Sequence, residues 1–554
     1  MEVAEPRART WIVALVFFVL ALCWQFLTYN GFPNDHYVHV ARARQMLLGA
    51  WPVRDFVDPG LPLTYAVSAS ARWIAGDVAG AELLVVALGI AVGAAATCLC
   101  ATTLAQSTII GSAVTLLEIL ASPRSYSYPK IVLYAIGGVV IVGVARHGSR
   151  RWVVSAAVLT ALAFLMRHDH GLYLGLACAT ALVLSAPDWT VVARRLLQFG
   201  VGLAVLLLPW AVWVQYYGGV VPYFESAIAF SRREADISVM RDLPRLQIAA
   251  GISAENAHPW LFYLFYALPV VCAVLALCRR LSRQQRWPGE SAAIGAIALV
   301  ALVVDAGFLR NPLSTRLADA TVPACLLGAW LLGLAWTTRL RWPAVTMLVR
   351  AAAGVMLIVT GVAVWRVGDV TDKLDEVGVF DDWDHVREHA GGIATVLRRP
   401  EMEARKLPSR VSAGLVPFFH YLDRCTAPTD RLFVSGPYPD VFVLARRGFA
   451  GGHIAFMQAF YASDSDQALT LTRMRHESVP FVLLVLDEQD AFAGSFPKIL
   501  AYIESTYDVL TNVPVDGMKG VRVLVERSRR RTGVDAKTGW PCFVQRGSST
   551  AASS

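Results

Sequence analysis

"YNGFPNDHYVHVARARQMLLGAWPVRDFVDPGLPLTY", residues 29–65, follows the first apolar run of the chain and sets Asp35, Asp55 and Asp58 beside Arg42, Arg44 and Arg54. A connection after a first membrane helix is ordinarily short. This one is long, punctuated by Pro and Gly, and interleaves acids, arginines and aromatics. The run before it, "WIVALVFFVLALCWQFLT" at 11–28, is preceded by Arg7 and Arg9. It is longer than the apolar core of a signal peptide and no A-x-A-like cleavage site follows, so it is expected to be a retained first span. The stretch is then an extramembrane loop with the residue types of chemistry rather than of passage.

Of 554 residues, 56% are hydrophobic and 17% charged, with a mean hydropathy of +0.49. Soluble domains carry closer to a quarter charged residues, so the chain is an integral membrane protein. Apolar runs of spanning or nearly spanning length begin near residues 11, 80, 107, 131, 152, 171, 195, 259, 291, 320 and 346, which predicts about eleven transmembrane helices. The shorter run at 61–75 contains Arg72 and is expected to be a membrane-embedded or interfacial helix. The fold class is therefore a polytopic α-helical membrane protein with a small C-terminal α/β exterior domain. Its expected parts are a transmembrane domain over 1–366 with exterior loops at 30–79 and 218–258, an exterior domain over 367–526, and a disordered tail over 527–554.

The C-terminal assignment rests on short apolar runs, "RLFVS" at 431–435, "FVLLVLD" at 481–487 and "VRVLVE" at 521–526, separated by helical stretches. That alternation predicts a buried sheet with helices around it. No nucleophile elbow, P-loop or dinucleotide fingerprint is present, and nothing points to nucleic acid. Nine cysteines form no C-x-x-C pair, and most lie in apolar runs, where a free thiol behaves as a small hydrophobe. Cys425 and Cys542 have the option of pairing outside the membrane, though nothing in the sequence demands it.

Basic residues set the orientation. "RHGSRR" at 146–151, Arg194 with Arg195, "RRLSRQQR" at 279–286 and Arg339 with Arg341 fall in alternate loops, which are then cytoplasmic. The N-terminus lies inside, and the opening stretch, the 218–258 loop and everything after 366 lie outside. Exterior segments should be poor in cations, yet they hold Arg124, Lys130, Arg167, Arg232, Arg233, Arg310 and Arg316. Either they pair with acids such as Asp169 and Asp319 within the bundle, or they serve an anionic ligand such as a phosphate head group.

An acid on an exterior loop among arginines can take a proton from a hydroxyl while cations stabilise an anionic leaving group. Here the chain resembles the GT-C superfamily of polyprenyl-phosphate-dependent glycosyltransferases, which includes protein mannosyltransferases and the aminoarabinose transferases of lipid A. The matching pieces are "PNDHY" at 33–37, "LLGAWPVRDFVDPGLPLTY" at 47–65, "FLMRHDHGLY" at 164–173 and "VVPYFESAIAFSRREA" at 220–235. "LRNPLSTRLADATVPACLL" at 309–327 resembles a further family stretch, with Asn311, Ser314 and Arg316 where an acid and a His often stand. The resemblance implies an active site between an exterior loop after span one, which carries the catalytic acid, and a second loop between spans seven and eight.

Carried onto these positions, it implies Asp35 as general base, with Asp55 and Asp58 as further catalytic carboxylates that also suit a surface turn. Lys130, Arg167, Arg232, Arg233, Arg310 and Arg316 are the candidate donor-phosphate ligands, and His36, Tyr126, Tyr128, His168 and Asp169 are auxiliary candidates. Asp35 is also placed to cap the helix that "HYVHVARARQMLLG" predicts. A divalent cation is compatible with this set, but no His/Asp/Glu spacing calls for one. The expected activity is transfer of a hexosyl or pentosyl group from a polyprenyl-phosphate sugar to an exterior glycan, lipid or protein at a bacterial inner membrane. The competing readings are a multi-span transporter or lipid flippase, against which the lack of an inverted repeat counts, and a non-enzymatic envelope assembly protein. The topology is directly testable: a Cys placed in the 279–286 loop should be shielded from an impermeant thiol reagent in intact cells, while a Cys at position 232 should react.

Overall fold

The structure is a computed structural model and describes residues 8–238, 242–247, 251, 253–281, 288–309, 314–339, 341–399 and 407–543. Arg310, among the expected phosphate ligands, lies outside the described residues. The chain divides into two compact units. The first comprises Met1–Tyr29, Leu84–Trp213 and Glu234–Ile393, and the second Asn30–Leu83, Val214–Arg233 and Ala394–Ser554.

Through the apolar part the helices run α1 (Ala8–Leu27), α2 (Asn34–Leu47), α3 (Pro62–Ala75), α4 (Ala79–Ala105) and α5 (Thr108–Leu120). They continue with α6 (Tyr128–His147), α7 (Arg150–Met166), α8 (His168–Leu184), α9 (Trp189–Tyr217) and α10 (Val220–Ser238). Next come α11 (Ala254–Leu281), α12 (Pro288–Leu309), α13 (Ser314–Thr337) and α14 (Pro343–Val367). All eleven expected segments are helical, and among the described residues eight helices (α1, α4, α6, α9 and α11 to α14) are long and apolar enough to cross a membrane. The other three are shorter for identifiable reasons. Helix α5 has only 13 residues, set off from α4 by Ser107, whose side chain caps the Ile110 N–H. Helices α7 and α8 have 17 residues each because Arg167 between them is extended (φ −164°, ψ 114°). In the first unit α12 packs against α6, α8, α11 and α13. Its core is largely Ala, Val, Leu and Ile with Tyr134, Phe262 and Trp330, as expected where small residues let helices approach in lipid.

The acidic segment after α14 forms α15 (Val370–Val377) and α16 (Trp383–Arg398). The second unit carries α17 (Arg410–Gly414), α18 (Val416–Cys425), α19 (Pro439–Leu444), α20 (Asp464–His476), α21 (Gln489–Ser495) and α22 (Pro497–Thr506). Its sheet has the order β2 (Gly448–Phe449), β1 (Arg431–Val434), β3 (Phe481–Val485), β5 (Val521–Glu526), β4 (Tyr507–Val513). Strand β1 is parallel to β2 and β3, whereas β5 is antiparallel to both β3 and β4. The continuous apolar run of β3 is explained by its central place: every residue in it is buried. The three expected strands are present, and β4 is an addition whose pattern, with a single buried residue, hides it from periodicity.

The compact second unit takes in chain from Ala394 onward, not from 367. The expected disordered tail is ordered as far as Phe543: β6 (Gly533–Val534) pairs with β7 (Pro541–Cys542), and Cys542 forms a disulfide with Cys425. Residues 544–554 lie outside the described residues.

The opening loop belongs to this same unit. Helix α2 packs against α3 and α19, burying His36, Tyr37, Val40, Ala41, Arg42, Ala43 and Gln45. Three hydrogen bonds join the loop to the C-terminal sheet region: Asn34 Nδ2 to the Pro437 carbonyl (3.1 Å), Gln45 Nε2 to the Phe449 carbonyl (3.0 Å) and the Val57 N–H to the Gly452 carbonyl (3.0 Å). Gly448 lies against this contact: a Cβ there would come within 2.2 Å of Gln45 Oε1.

At the base of α2 and α3 sits an ionic cluster. Glu82 is fully buried and receives His36 Nε2 (3.0 Å) and Ser68 Oγ (2.9 Å), with Arg72 Nε at 3.7 Å. Arg72 also donates to Asp77 (2.7 Å), which pairs with Arg44 as well. Burial opposes ionisation of Asp77, but Arg44 and Arg72 hold its carboxyl below the usual range. Removing one partner of a buried ion pair strands the other, at about 3–5 kcal/mol. Arg72→Met should therefore lower the thermal stability of the purified protein sharply, and Glu82→Gln in the same chain should recover part of the loss.

Candidate functional site

The opening loop's three acids stand in different surroundings. Asp35 is the second residue of α2 and is exposed; Pro33, extended at φ −70° and ψ 158°, occupies the cap position and no side chain caps the helix. Asp35 is thus in the first turn rather than at the cap. A carboxylate there is favoured by the free N–H groups of the helix start. It makes no hydrogen bond or ion pair with another described residue, which leaves its oxygens open to a ligand. His36, next to it, is bound to Glu82 and stacks on Phe32 with ring centroids 4.3 Å apart. His36 is therefore a fixing group, which sets the rotation of α2 and with it the direction of Asp35.

Asp55 is turned back on its own loop: Oδ2 accepts from the Trp51 N–H (2.7 Å) and from Arg54 Nε (2.8 Å). Asp58 is buried and committed. Its Oδ1 accepts from the Gly60 and Leu61 N–H groups (both 2.9 Å), which makes the turn into α3. Its Oδ2 accepts from the Tyr223 hydroxyl of α10 at 3.0 Å. That bond brings the start of the second loop onto the opening one.

Around Asp58 lies a cluster of hydroxyls and cations from separate elements. Tyr65 of α3 is fully buried beneath the Arg42 guanidinium of α2, 5.4 Å from the ring centre. Burial, and then Asp58, push the ionisation of Tyr223 well up. Tyr65 is pushed up by burial against the opposing pull of Arg42. Tyr461 is driven up to about 12 by burial, with Arg42 opposing and Asp58 adding to it. Phe230 of α10 packs on Phe460 (4.9 Å) and Tyr461 (6.1 Å). Arg232, beside it on α10, is exposed, while Arg233 is half-buried and close enough to act on Tyr461. All of these groups belong to the second unit.

The remaining expected residues lie in the first unit. Lys130 pairs with Asp319, and Arg167 grips Asp169 through Nε (2.9 and 3.2 Å) and Nη2 (3.1 Å). His170 is hydrogen-bonded to the Tyr134 hydroxyl. His168 donates from Nδ1 to the Phe164 carbonyl at 2.6 Å and stacks on that ring. Tyr126 lies under Arg124 at 5.9 Å, Tyr128 is buried and Arg316 is half-buried. For Lys130 and Arg167 the ion-pair expectation describes what is present. Among the described residues no three His, Cys, Asp or Glu side chains come together as metal ligands.

Arg42, Tyr65, Tyr223 and Tyr461 were not among the expected site residues. Tyr65 and Tyr223 stand inside "LPLTY" and "VVPYFES", so their motifs were visible without their roles. Tyr461 is in a turn with no periodic signal, and its left-handed backbone (φ +52°) is unusual for a bulky residue.

No protein-family model matches the chain, and no curated protein matches it. Among solved structures, it is similar to ArnT from Cupriavidus metallidurans bound to undecaprenyl phosphate, at 16% identity and a TM-score of 0.47. It is similar also to ArnT from that organism in the apo state, at 15% identity and a TM-score of 0.45. Both likenesses cover 93% of this chain and 98% of the other.

A hydrogen bond to a charged group contributes about 1.5–3 kcal/mol. Tyr223→Phe removes the one between α10 and Asp58, so the melting temperature should fall and amide exchange over residues 220–230 should quicken. Exchange unchanged in that segment would show that Asp58 does not hold α10.

Proposed function

We propose that the protein is a membrane glycosyltransferase of the GT-C kind, moving a sugar from a polyprenyl-phosphate donor to an exterior glycan, lipid or protein, with Asp35 as general base. One observation carries the reading. Of the three acids in the opening loop, Asp35 alone is exposed and uncommitted, and the neighbouring His36 is locked to buried Glu82. A carboxylate held in direction but free at its oxygens is what proton abstraction requires. Asp55 and Asp58 are occupied by their own turns and by Tyr223, which suits loop shaping.

In the proposed step an acceptor hydroxyl gives its proton to an Asp35 oxygen as the hydroxyl oxygen bonds to the anomeric carbon. The bond from that carbon to the lipid-phosphate oxygen breaks, and the phosphate leaves with the electron pair. Cations stabilise the charge that develops there. Arg232 and Arg233 are the candidates in the same unit as Asp35, and neither forms an ion pair with a described residue. Arg is suited to the task because its guanidinium forks onto phosphate oxygens.

We place the second unit on the exterior, periplasmic face of a bacterial inner membrane, with the N-terminus in the cytoplasm. The alternate basic loops support this. So does the Cys425–Cys542 disulfide, with Cα atoms 4.4 Å apart, since such bonds persist in oxidising compartments.

Asn keeps the size of Asp and lacks the basic oxygen. A general base contributes about 10²–10⁴-fold, so Asp35→Asn should lose that much transfer activity while binding the lipid donor and melting as the parent does. Near-normal transfer would move the base elsewhere. Arg233→Gln should weaken donor binding by about 1.5–3 kcal/mol, read from a titration with polyprenyl phosphate.

A further inference from the structure

Among the buried side-chain nitrogens of the second unit that meet no hydrogen-bond partner among the described residues are Arg42 Nε, Arg473 Nη1 and His453 Nε2. They come from helix α2, helix α20 and the turn after β2, and both arginines act electrostatically on His453. His453 is held neutral, its basicity pushed down to about 3 by burial and then by Arg473 and Arg42. Its residue exposure is 4% and that of Arg42 is 8%.

A buried guanidinium ordinarily meets a carboxylate, and among the described residues these two form no ion pair. The nearby acids are engaged with other donors. Glu477 accepts from Arg431 (3.0 Å) and from the Gly451 N–H (2.7 Å). Asp55 holds Arg54 and the Trp51 N–H, and Asp58 holds Tyr223. The backbone is shaped to admit Arg473. Gly452 has φ +78°, and a Cβ on it would lie 2.2 Å from Arg473 Nη1. Tyr461, whose ring lies 4.8 Å from His453, is held in the left-handed region at φ +52°. Unpaired buried donors and strained turns both mark functional places, because each is unfavourable unless a ligand or mechanism requires it.

We propose that Arg42, His453 and Arg473 form a binding site for a phosphate group, with the Tyr461 hydroxyl beside it. Three donors arriving from three elements match an anion with several acceptor oxygens better than a carboxylate with two. The neutral His453 supplies an N–H, and the two arginines supply charge. The phosphate can belong to a phosphorylated acceptor or to a lipid head group. The site stands on this geometry whether or not Asp35 is a base; only its use in acceptor recognition rests on the transferase reading.

The test is a thermal-shift titration of the purified full-length protein in phosphate-free buffer. Inorganic phosphate, glycerol 3-phosphate, and nanodiscs with and without phosphatidic acid are the ligands, and chloride at equal ionic strength is the control. A saturable rise in melting temperature with phosphate or its monoester is expected. Arg42→Gln and Arg473→Gln should each weaken it about tenfold or more, as the loss of one charge-assisted bond does. Arg475→Gln, whose guanidinium lies over Tyr502 5.6 Å from the ring centre, should leave it unchanged. Arg473→Lys keeps the charge but not the fork and should fall between, which separates lost binding from lost folding. A response only to phosphatidic acid, lost in the same variants, supports the site and names a lipid head group as its source. Asp35→Asn should titrate as the parent does, so failure of the base assignment leaves this result intact. No saturable response to any of these ligands, or variant titrations that overlay the parent's, would overturn the proposal.

Discussion

A carboxylate taken wholly out of water must be surrounded by donors or give up its charge, and Glu82 is surrounded. It gathers His36 from α2, Ser68 and Arg72 from α3, and it stands in the first turn of α4. Three helix segments that the chain separates are fixed at one point. Through Arg72 the cluster reaches Asp77 and, from there, Arg44, so α2 is held at both ends of its buried face. The geometry of the opening loop depends on that. With His36 pinned, the residue before it can be exposed and still have a defined direction.

The rest of the second unit follows from how α2 is clamped on its other side. Asn34, Gln45 and Val57 hydrogen-bond to the C-terminal sheet region, and Tyr223 brings α10 in through Asp58. The C-terminal sheet is therefore a support for the loops as well as a domain in its own right. The same unit sets His453 and Arg473 within electrostatic reach of one another, and Arg42 of α2 acts on the same His453. A loop that needs one mobile substrate and several fixed side chains gains from such a rigid backing, because preorganised groups need not be reoriented at the moment of reaction.

Much of this was legible in the residues. Hydropathy alone located all eleven apolar helices, since a span needs a run whose length is fixed by the bilayer. The apolar run 481–487 announced a buried strand, and "HYVHVARARQMLLG" announced α2, although Asp35, expected to cap it, stands in its first turn instead. Tertiary pairing was legible only in part. Arg42 looks like a surface cation in "VARARQ", and only packing against α3 and α19 buries it. For Lys130 and Arg167 the sequence left phosphate binding and ion pairing both open; in the structure they pair with Asp319, far along the chain, and with Asp169, where a break in the helix turns it back. Strand β4 and the β6–β7 pair escaped because an exposed edge and a two-residue strand leave no periodic trace. The Cys425–Cys542 bond spans 117 residues, a separation from which no spacing rule predicts a partner.

The central claim is that Asp35 faces the reacting sugar. The most direct measurement is an experimental structure with a non-hydrolysable polyprenyl-phosphate sugar bound. The account predicts the anomeric carbon close enough to Asp35 for an acceptor oxygen to sit between them, with that oxygen about 3–3.5 Å from the carbon and in hydrogen-bond reach of the carboxylate. A sugar bound away from the start of α2, with Asp35 still facing open solvent, would contradict it.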